Sequence, residues 1–267
     1  MSLYFQAKSY LRHWLLKVDE HSIHSPFFFD FYKNVLAKNE PPTSFQKLEK
    51  LRTDLLSNQT KIVVEDMGSG SIELKKNTRS LGDIANTSLA QKNYCELYYR
   101  IAKHLKAKKI VELGTSLGVT TLYLAELASA RVITFEGSHS IANIALTNFE
   151  YFEKNNIKLI EGNLNTTLPN FLQETEKINL VLMDANHRYE PTLKYFTLLM
   201  KRVNESSIII MDDIHRSEEM EKAWEWVKAN ELVYGTIDLY QCGIVFFEPS
   251  LNKQHYVFSL SKKRIKK

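Results

Sequence analysis

The sequence predicts an α/β fold with a doubly wound, mostly parallel sheet of seven strands, and three observations support this prediction. From Ile110 onward, apolar runs of strand length alternate with helical patterns, and short polar segments connect them. A turn containing two glycines, Gly114 to Gly118, follows the first of these strands and precedes a helix. Near the C-terminus, two extended runs are separated only by Asp238 to Gln241, which is too short for a crossover helix. This last pair is therefore expected to end the sheet with an antiparallel strand.

The elements follow in order along the chain. The apolar runs predict strands at 109–113, 131–136, 157–161, 179–184, 207–212, 232–237 and 242–247. The segments between them predict helices at about 119–129, 139–153, 166–174, 190–201 and 217–229. Pro191 suits the first turn of the fourth of these helices, where no backbone donor is needed.

The N-terminal part of the chain has a different character. Residues 1–60 carry amphipathic helical patterns at 10–18 and 45–56, on either side of the aromatic segment HSIHSPFFFDFY. We predict a helical N-terminal extension whose aromatic residues pack as core, an interpretation favoured over a substrate pocket or a dimer interface. The remaining divisions are a hairpin or lid at 61–85, the main domain at 86–260 and a basic tail at 261–267.

Composition narrows the class of protein. The chain has 267 residues, of which 44% are hydrophobic, so it can bury a full core. Its net charge is +4, but the tail SKKRIKK holds five Lys or Arg, so the rest of the chain is close to neutral. This distribution argues against a nucleic-acid partner. Two cysteines in apolar patterns suit a reducing cytoplasm, and the absence of a long apolar run predicts no membrane partner.

The turn after the first strand indicates a nucleotide crevice. Glu112 precedes the sequence GTSLG, and Glu136 ends the next strand, where a carboxylate can accept hydrogen bonds from both ribose hydroxyls. A dinucleotide site needs G-x-G-x-x-G so that backbone can approach a pyrophosphate, and this spacing is absent here. The sequence therefore predicts a nucleoside ligand that needs no phosphate cradle.

A second segment, IVVEDMGSGS at 62–71, also offers an apolar strand, an acid and a G-x-G. It is followed by charged residues, with no second apolar strand ending in an acid. Its interpretation is accordingly the hairpin or lid already named, with Arg79 and Ser80 placed hypothetically near a substrate.

Acidic residues follow two further strands. NLVLMDANH runs into Asp184 and then His187, while SSIIIMDDIH runs into Asp212 and Asp213 and then His215. Carboxyl ends of parallel strands share one edge, so these carboxylates are expected to bind a hard cation such as Mg²⁺. A metal-bound hydroxyl would lose its proton readily, and His187 has the ordinary pKa range to accept it. Helix capping, the simpler alternative, accounts for single acids but not for three.

The order of acid, glycine turn, Glu136, D-x-x-H and D-D resembles class I S-adenosylmethionine-dependent methyltransferases, and specifically the metal-dependent catechol type and the macrolide-sugar type. The resemblance covers roughly residues 86–248. It departs from the catechol type at Arg188, the only cation where a lysine is expected, and at Asp213, which replaces an amide. His215 is left open between a partner of the site and a surface residue.

The resemblance implies a role for each matching residue. The methionine moiety would be bracketed by Glu112, Gly114, Ser116 and Gly118. The ribose would contact Glu136 with Gly137, the adenine Asn163, and the cofactor also Asp184. The metal ligands would be Asp184, Asp212 and Asp213, and the general base would be His187.

The implied activity is O-methylation of a small hydroxylated molecule with S-adenosylmethionine, assisted by a divalent cation. Two alternatives stay open at this point, a methyltransferase of RNA or protein and a module that binds the cofactor without turnover. Only the basic tail supports the first alternative, and the set of acids with His187 argues against the second. A homodimer is also left open.

Overall fold

The computed structural model describes residues 3–38, 41–64 and 78–260. Its helices are α1 (Leu3–Leu16), α2 (Pro26–Phe31), α3 (Phe45–Ser57), α4 (Leu81–Ser88), α5 (Lys92–His104), α6 (Val119–Ala125), α7 (His139–Tyr151), α8 (Leu164–Gln173), α9 (Tyr189–Met200) and α10 (Glu218–Ala229). Its strands are β1 (Lys61–Val63), β2 (Thr78–Ser80), β3 (Lys109–Leu113), β4 (Arg131–Glu136), β5 (Ile157–Glu161), β6 (Leu180–Met183), β7 (Ile208–Asp212), β8 (Gly235–Asp238), β9 (Cys242–Phe246) and β10 (Gln254–Val257). Within these ranges, no helix is both long and apolar enough to cross a membrane.

The main sheet is mostly parallel and flanked by helices, which confirms the predicted fold class. Its strand order is β10-β8-β9-β7-β6-β3-β4-β5. The predicted antiparallel strand is β9, but it lies inside the sheet between β7 and β8 and pairs antiparallel with both. The edge is an eighth strand, β10, which runs parallel to β8 and was not predicted. Its sequence, QHYV, is short and half polar, so it gives no apolar run.

The described chain divides into two compact units. The first comprises the residues up to 38 and those from 182 to 260, and the second comprises 41–64 and 78–181. The predicted N-terminal extension is thus shared, because α1 and α2 belong to the first unit and α3 to the second.

Aromatic side chains form much of the core of the first unit. Phe28 and Phe31 of the aromatic segment are buried and contact Phe246 of β9 edge to face, with centroid distances of 5.3 and 5.1 Å. Close packing also requires a glycine at position 243 of β9, because a Cβ there would lie 2.5 Å from the ring of Trp224. Phe28 and Phe31 therefore pack as core, as predicted for the aromatic segment, whereas Phe27 and Phe29 are exposed.

The second unit packs α3 to α7 around an apolar cluster that includes Leu48, Leu122 and Phe149. Strands β1 and β2 pair antiparallel. Helix α5 was absent from the predicted elements, although it carries a strongly amphipathic pattern with Leu97 and Ile101 buried. Cys95 of this helix is buried too, as its apolar surroundings in the sequence indicated.

Candidate active site

The glycine turn between β3 and α6 has an unusual backbone. Gly114, Ser116 and Gly118 all have positive φ, of 97°, 48° and 80°. The amides of Gly114 and Thr115 donate to the carbonyl of Phe135 at 3.1 and 2.9 Å, which fixes the turn to the end of β4. At Gly118 a Cβ would lie 2.6 Å from Phe149 Cε1, so both conformation and space require glycine.

Glu136 lies where the sequence placed it, at the C-terminal end of β4. Its carboxylate accepts hydrogen bonds from the backbone amides of Ser116 at 2.9 Å and Ser138 at 3.0 Å. Burial raises the pKa of Glu136, and these amides together with that of Gly137 oppose the rise. A carboxylate has about four acceptor sites, so after the amides of Ser116, Ser138 and Gly137 about one site remains for a ribose hydroxyl.

Glu112 is buried deeply, with 1% of its surface exposed. Its Oε2 accepts hydrogen bonds from Thr121 of α6 and from Thr134 of β4, the latter at 2.6 Å. Thr115 contacts Thr134 through a further hydrogen bond of 2.6 Å. The carboxylate thus connects β3, β4 and α6 beneath the turn, while direct contact with a methionine moiety stays a prediction.

The other predicted cofactor residues of this unit lie on loops that follow strands. Ser116 Oγ is 2.6 Å from Ser88 Oγ at the end of α4. Asn163 begins α8 and accepts a hydrogen bond from the Asn165 amide at 2.9 Å. Its side chain is exposed, so the amide nitrogen can face a ligand.

The β1-β2 hairpin borders the same region of the second unit. The hydroxyl of Ser140, close after Glu136 in sequence, donates to the Val63 carbonyl. Arg79 and Ser80, which the lid hypothesis places near a substrate, contact α4, and their proximity to a substrate stays a prediction. Ser80 caps this helix by accepting from the Asp83 amide at 3.0 Å, and Arg79 donates to Thr87 at 2.8 Å. Residues 65–77, which include the predicted glycine-rich tip, lie outside the described residues.

The predicted base, His187, belongs to the first unit and lies between two carboxylates. Its Nε2 is 3.3 Å from Asp184 Oδ1, and its Nδ1 is 3.9 Å from Asp213 Oδ2. Asp213 adopts a left-handed conformation with φ of 56°, in the turn after β7. Two of the three predicted carboxylates are therefore brought to one histidine, which can exchange a proton with a bound group and be stabilised as a cation.

The carboxylates of Asp184, Asp212 and Asp213 are the predicted ligands of a metal ion. No group of three His, Cys, Asp or Glu side chains within the described part of the chain is arranged to hold a metal ion. Asp213 Oδ2 is instead 2.8 Å from Arg216 Nη1, so its charge is already paired. Asp212 ends β7 opposite Cys242 of β9. As these side chains stand, Asp184, Asp212 and Asp213 do not fit a three-carboxylate site, and the metal stays a prediction.

His215 belongs to a buried network that the sequence did not reveal. Its Nε2 is 2.8 Å from Asp238 Oδ2, its Nδ1 is 3.2 Å from Glu221 Oε1, and Tyr240 stacks on its ring. His13 of α1 reaches the other oxygen of Asp238 at 3.3 Å. Burial alone would raise the pKa of Asp238, but the adjacent His13 and His215 hold that pKa well below its usual range. Of the two roles left open for His215, a surface position is wrong.

Comparison with models of known protein families finds a match over the central part of the chain. Residues 111–214 match a family model described as a methyltransferase domain. This segment runs from β3 to the turn after β7, and it contains the glycine turn, Glu136, His187 and the predicted carboxylates. No curated protein matches the sequence significantly.

Several solved structures share the fold. The O-methyltransferase of Bacillus cereus, solved in complex with S-adenosylhomocysteine (SAH), has a TM-score of 0.56 and 16% identity, covering 81% of this chain and 96% of that one. The SAH-bound methyltransferase PaMTH1 of Podospora anserina has a TM-score of 0.54 and 15% identity, covering 79% and 99%. The O-methyltransferase TomG of Streptomyces achromogenes, solved with S-adenosylmethionine and involved in tomaymycin synthesis, has a TM-score of 0.53 and 14% identity, covering 82% and 95%.

Proposed function

We propose that this chain, whose residues 111–214 match the model of a methyltransferase domain, transfers a methyl group from S-adenosylmethionine to the hydroxyl of a small molecule. The observation that carries the proposal is the support of Glu136 by the amides of Ser116 and Ser138. A half-buried carboxylate held by backbone donors at a strand end is suited to bind a ribose. The solved O-methyltransferases with the same fold hold S-adenosylmethionine or SAH.

The residues of the second unit would bind the cofactor. The glycine turn carries no bulky side chain at Gly114 or Gly118, so a ligand can approach its backbone closely. Glu136 would accept a ribose hydroxyl, and Asn163 would contact the adenine. When bound, S-adenosylmethionine supplies a methyl group on a positively charged sulfur.

The proposed base in the first unit is His187. A neutral imidazole that directs one N–H toward Asp184 presents its other nitrogen as an acceptor for the proton of a hydroxyl. Asp184 and Asp213 would stabilise the imidazolium that forms, in the same way that carboxylates orient catalytic histidines generally. The hydroxyl oxygen gains the methyl group as it loses its proton. This role requires no metal ion, although the predicted carboxylates would be its ligands if one takes part.

Two measurements test the proposal. Calorimetry should show that SAH binds to the protein, with NAD and ATP binding far more weakly. Transfer of a radioactive methyl group should then label small phenols and catechols, and it should leave RNA and protein unlabelled. Labelling of RNA or protein alone would refute the small-molecule assignment, and absence of SAH binding would refute the whole proposal.

A further inference from the structure

Helix α1 presents an apolar face to solvent. Six of its large side chains are more than half exposed, and four of them lie along one side: Tyr4 (79%), Leu11 (56%), Trp14 (51%) and Leu15 (66%). Their spacing of three, four and seven residues places them along one side of the helix. The other two, Tyr10 and Leu16, lie off this side. Single exposed apolar residues are common on folded proteins, but a contiguous apolar stripe of this kind indicates an interaction surface.

The opposite side of α1 fixes this orientation. Ser9 and His13 are buried, and they contact Glu221 at 3.2 Å and Asp238 at 3.3 Å. Tyr240 also donates from its hydroxyl to the carbonyl of Gln6 at 3.3 Å. The helix is therefore anchored to the first unit through its polar side, and the apolar stripe is left facing outward.

Cations flank the stripe. Lys8 and Arg12 lie along one flank and Lys17 along the other, and all three are exposed. Arg12 approaches Glu225 only at 3.9 Å, and both side chains are well solvated. The segment Leu3–Leu16 contains no Asp or Glu, and the first acids, Asp19 and Glu20, come after the helix.

The charges beside the apolar stripe of α1 distinguish between two possible partners, a second copy of the chain and an anionic lipid surface. Two copies of α1 packed stripe to stripe would bring their cations together, and α1 itself carries no acid to pair with them; the acids nearest to Lys8 and Arg12 are Glu218, Glu221 and Glu225 of α10. An anionic lipid surface instead offers phosphates to the cations and hydrocarbon to Leu11 and Leu15. Trp and Tyr side chains favour the boundary between the two. We propose that α1 docks this chain on membranes that contain anionic lipid, lying in the interface rather than spanning it.

Membrane binding through α1 should be reversible and sensitive to salt. A single amphipathic helix gives reversible attachment that weakens as salt screens the lysines. It needs no segment that crosses a membrane, but it departs from the sequence-based prediction that the chain has no membrane partner. The inference rests on the geometry of α1, so it holds or fails independently of methyl transfer.

Co-sedimentation of the full-length protein with vesicles tests the proposal. Binding is expected to vesicles of phosphatidylcholine mixed with phosphatidylglycerol, and little binding to phosphatidylcholine alone. The triple variant Leu11→Ser, Trp14→Ser, Leu15→Ser should lower the partition coefficient roughly tenfold or more, because these side chains carry most of the buried apolar area. All three positions are exposed, so the variant should keep its circular dichroism spectrum and melting temperature.

Matched controls separate this helix from other surfaces. The variant Leu146→Ser, Tyr151→Ser removes exposed apolar side chains of α7 and should bind vesicles like the wild type. The variant Lys8→Gln, Lys17→Gln should lose most of the preference for phosphatidylglycerol. Trp14→Phe should keep binding but lose the blue shift of tryptophan emission that binding causes in the wild type. The other two tryptophans lie outside the stripe, because Trp224 is buried and Trp226 packs edge to face on Phe196.

Three results would overturn the proposal. In the first, the wild type is a dimer that the triple variant dissociates, without binding to vesicles, so a second copy covers the face. In the second, vesicle binding survives the triple variant but disappears when the basic residues of the tail at 261–267 are neutralised. In the third, the wild type binds neither kind of vesicle.

Discussion

The backbone amide of Ser116 donates a hydrogen bond to the carboxylate of Glu136 across 2.9 Å, although 20 residues separate them in sequence. The amide of Ser138 holds the other carboxylate oxygen at 3.0 Å. The acidic end of β4 and the glycine turn after β3 are thereby locked together before any ligand arrives. A site organised in this way loses little conformational freedom on binding.

The first prediction concerns this carboxylate. Glu136→Ala should weaken SAH binding by roughly 1.5 to 3 kcal/mol for each charged hydrogen bond lost, as measured by calorimetry. Glu161→Ala is the matched control, because Glu161 ends the neighbouring strand in register with Glu136 but pairs with His139. Equal loss in both variants would show that the ribose assignment is wrong.

The second prediction concerns the turn. Gly118→Ala should reduce the free energy of unfolding by about 2 to 4 kcal/mol, because it adds both left-handed strain and a clash with Phe149. Chemical denaturation measures the change. The double variant Gly118→Ala, Phe149→Leu should recover the steric part only. If the single variant is as stable as the wild type, the positive φ at this position is not required.

The third prediction concerns the proposed base. His187→Ala should lower turnover by roughly 10²- to 10⁴-fold and leave SAH affinity nearly unchanged, since only the proton step is removed. The loss should shrink for acceptors that are already ionised at the assay pH. His215→Ala is a contrasting variant, expected to lower the melting temperature through its buried partners. A His187 variant with full activity would remove this residue from the proposed mechanism.

The fourth prediction concerns pH. The pKa of Asp238 is lowered in the folded state, so its ionised form stabilises the fold above the ordinary Asp pKa of about 3.9, and this contribution is lost as pH falls toward the lowered value. At neutral pH, Asp238→Asn should cost about 1 to 3 kcal/mol. Denaturation curves at several pH values should show this difference shrinking below about pH 4. A difference that grows on acidification would contradict the assignment.

The fifth prediction tests the metal hypothesis. A divalent cation at Asp184 and Asp213 would compete with Arg216 for the carboxylate that it holds at 2.8 Å. Arg216→Ala should therefore show a larger rise in melting temperature with Mg²⁺ or Mn²⁺ than the wild type does, by ligand linkage. Adding Asp184→Asn should abolish the rise. If neither protein responds to millimolar cations, these carboxylates are not metal ligands.

The sequence predicted the parallel strands and their order of appearance closely. β3, β4 and β5 have the bounds expected from the sequence. β3 and β4 are buried along most of their length, as apolar parallel strands inside a sheet are, whereas β5 is a partly buried edge strand. The resemblance to methyltransferases, drawn from Glu112 to Gly118 and from the acids after β6 and β7, is confirmed by the matching domain and by the shared fold. Each of these features depends on residues that are close together in sequence, so a short sequence pattern is enough to predict it.

Features that depend on distant partners were not predictable. Nothing near His215 indicates that Asp238 and His13, from two other parts of the chain, will bury it. The pair of Arg216 and Asp213 is local, with the two residues three positions apart, but a run of acids does not reveal the left-handed conformation of Asp213 in the turn where the pair forms. The strand β10 forms because β8 offers it an edge, and its own residues give little signal.

The contact between Gly243 and Trp224 constrains which substitutions can occur at these two positions during evolution. An indole ring 2.5 Å from where a Cβ would stand leaves no room for any other residue at 243 while Trp224 is kept. A smaller residue at 224 would open a cavity, which a larger residue at 243 would have to fill. We therefore expect homologues to change these two positions together or not at all, so that they form one unit of covariation linking α10 to β9.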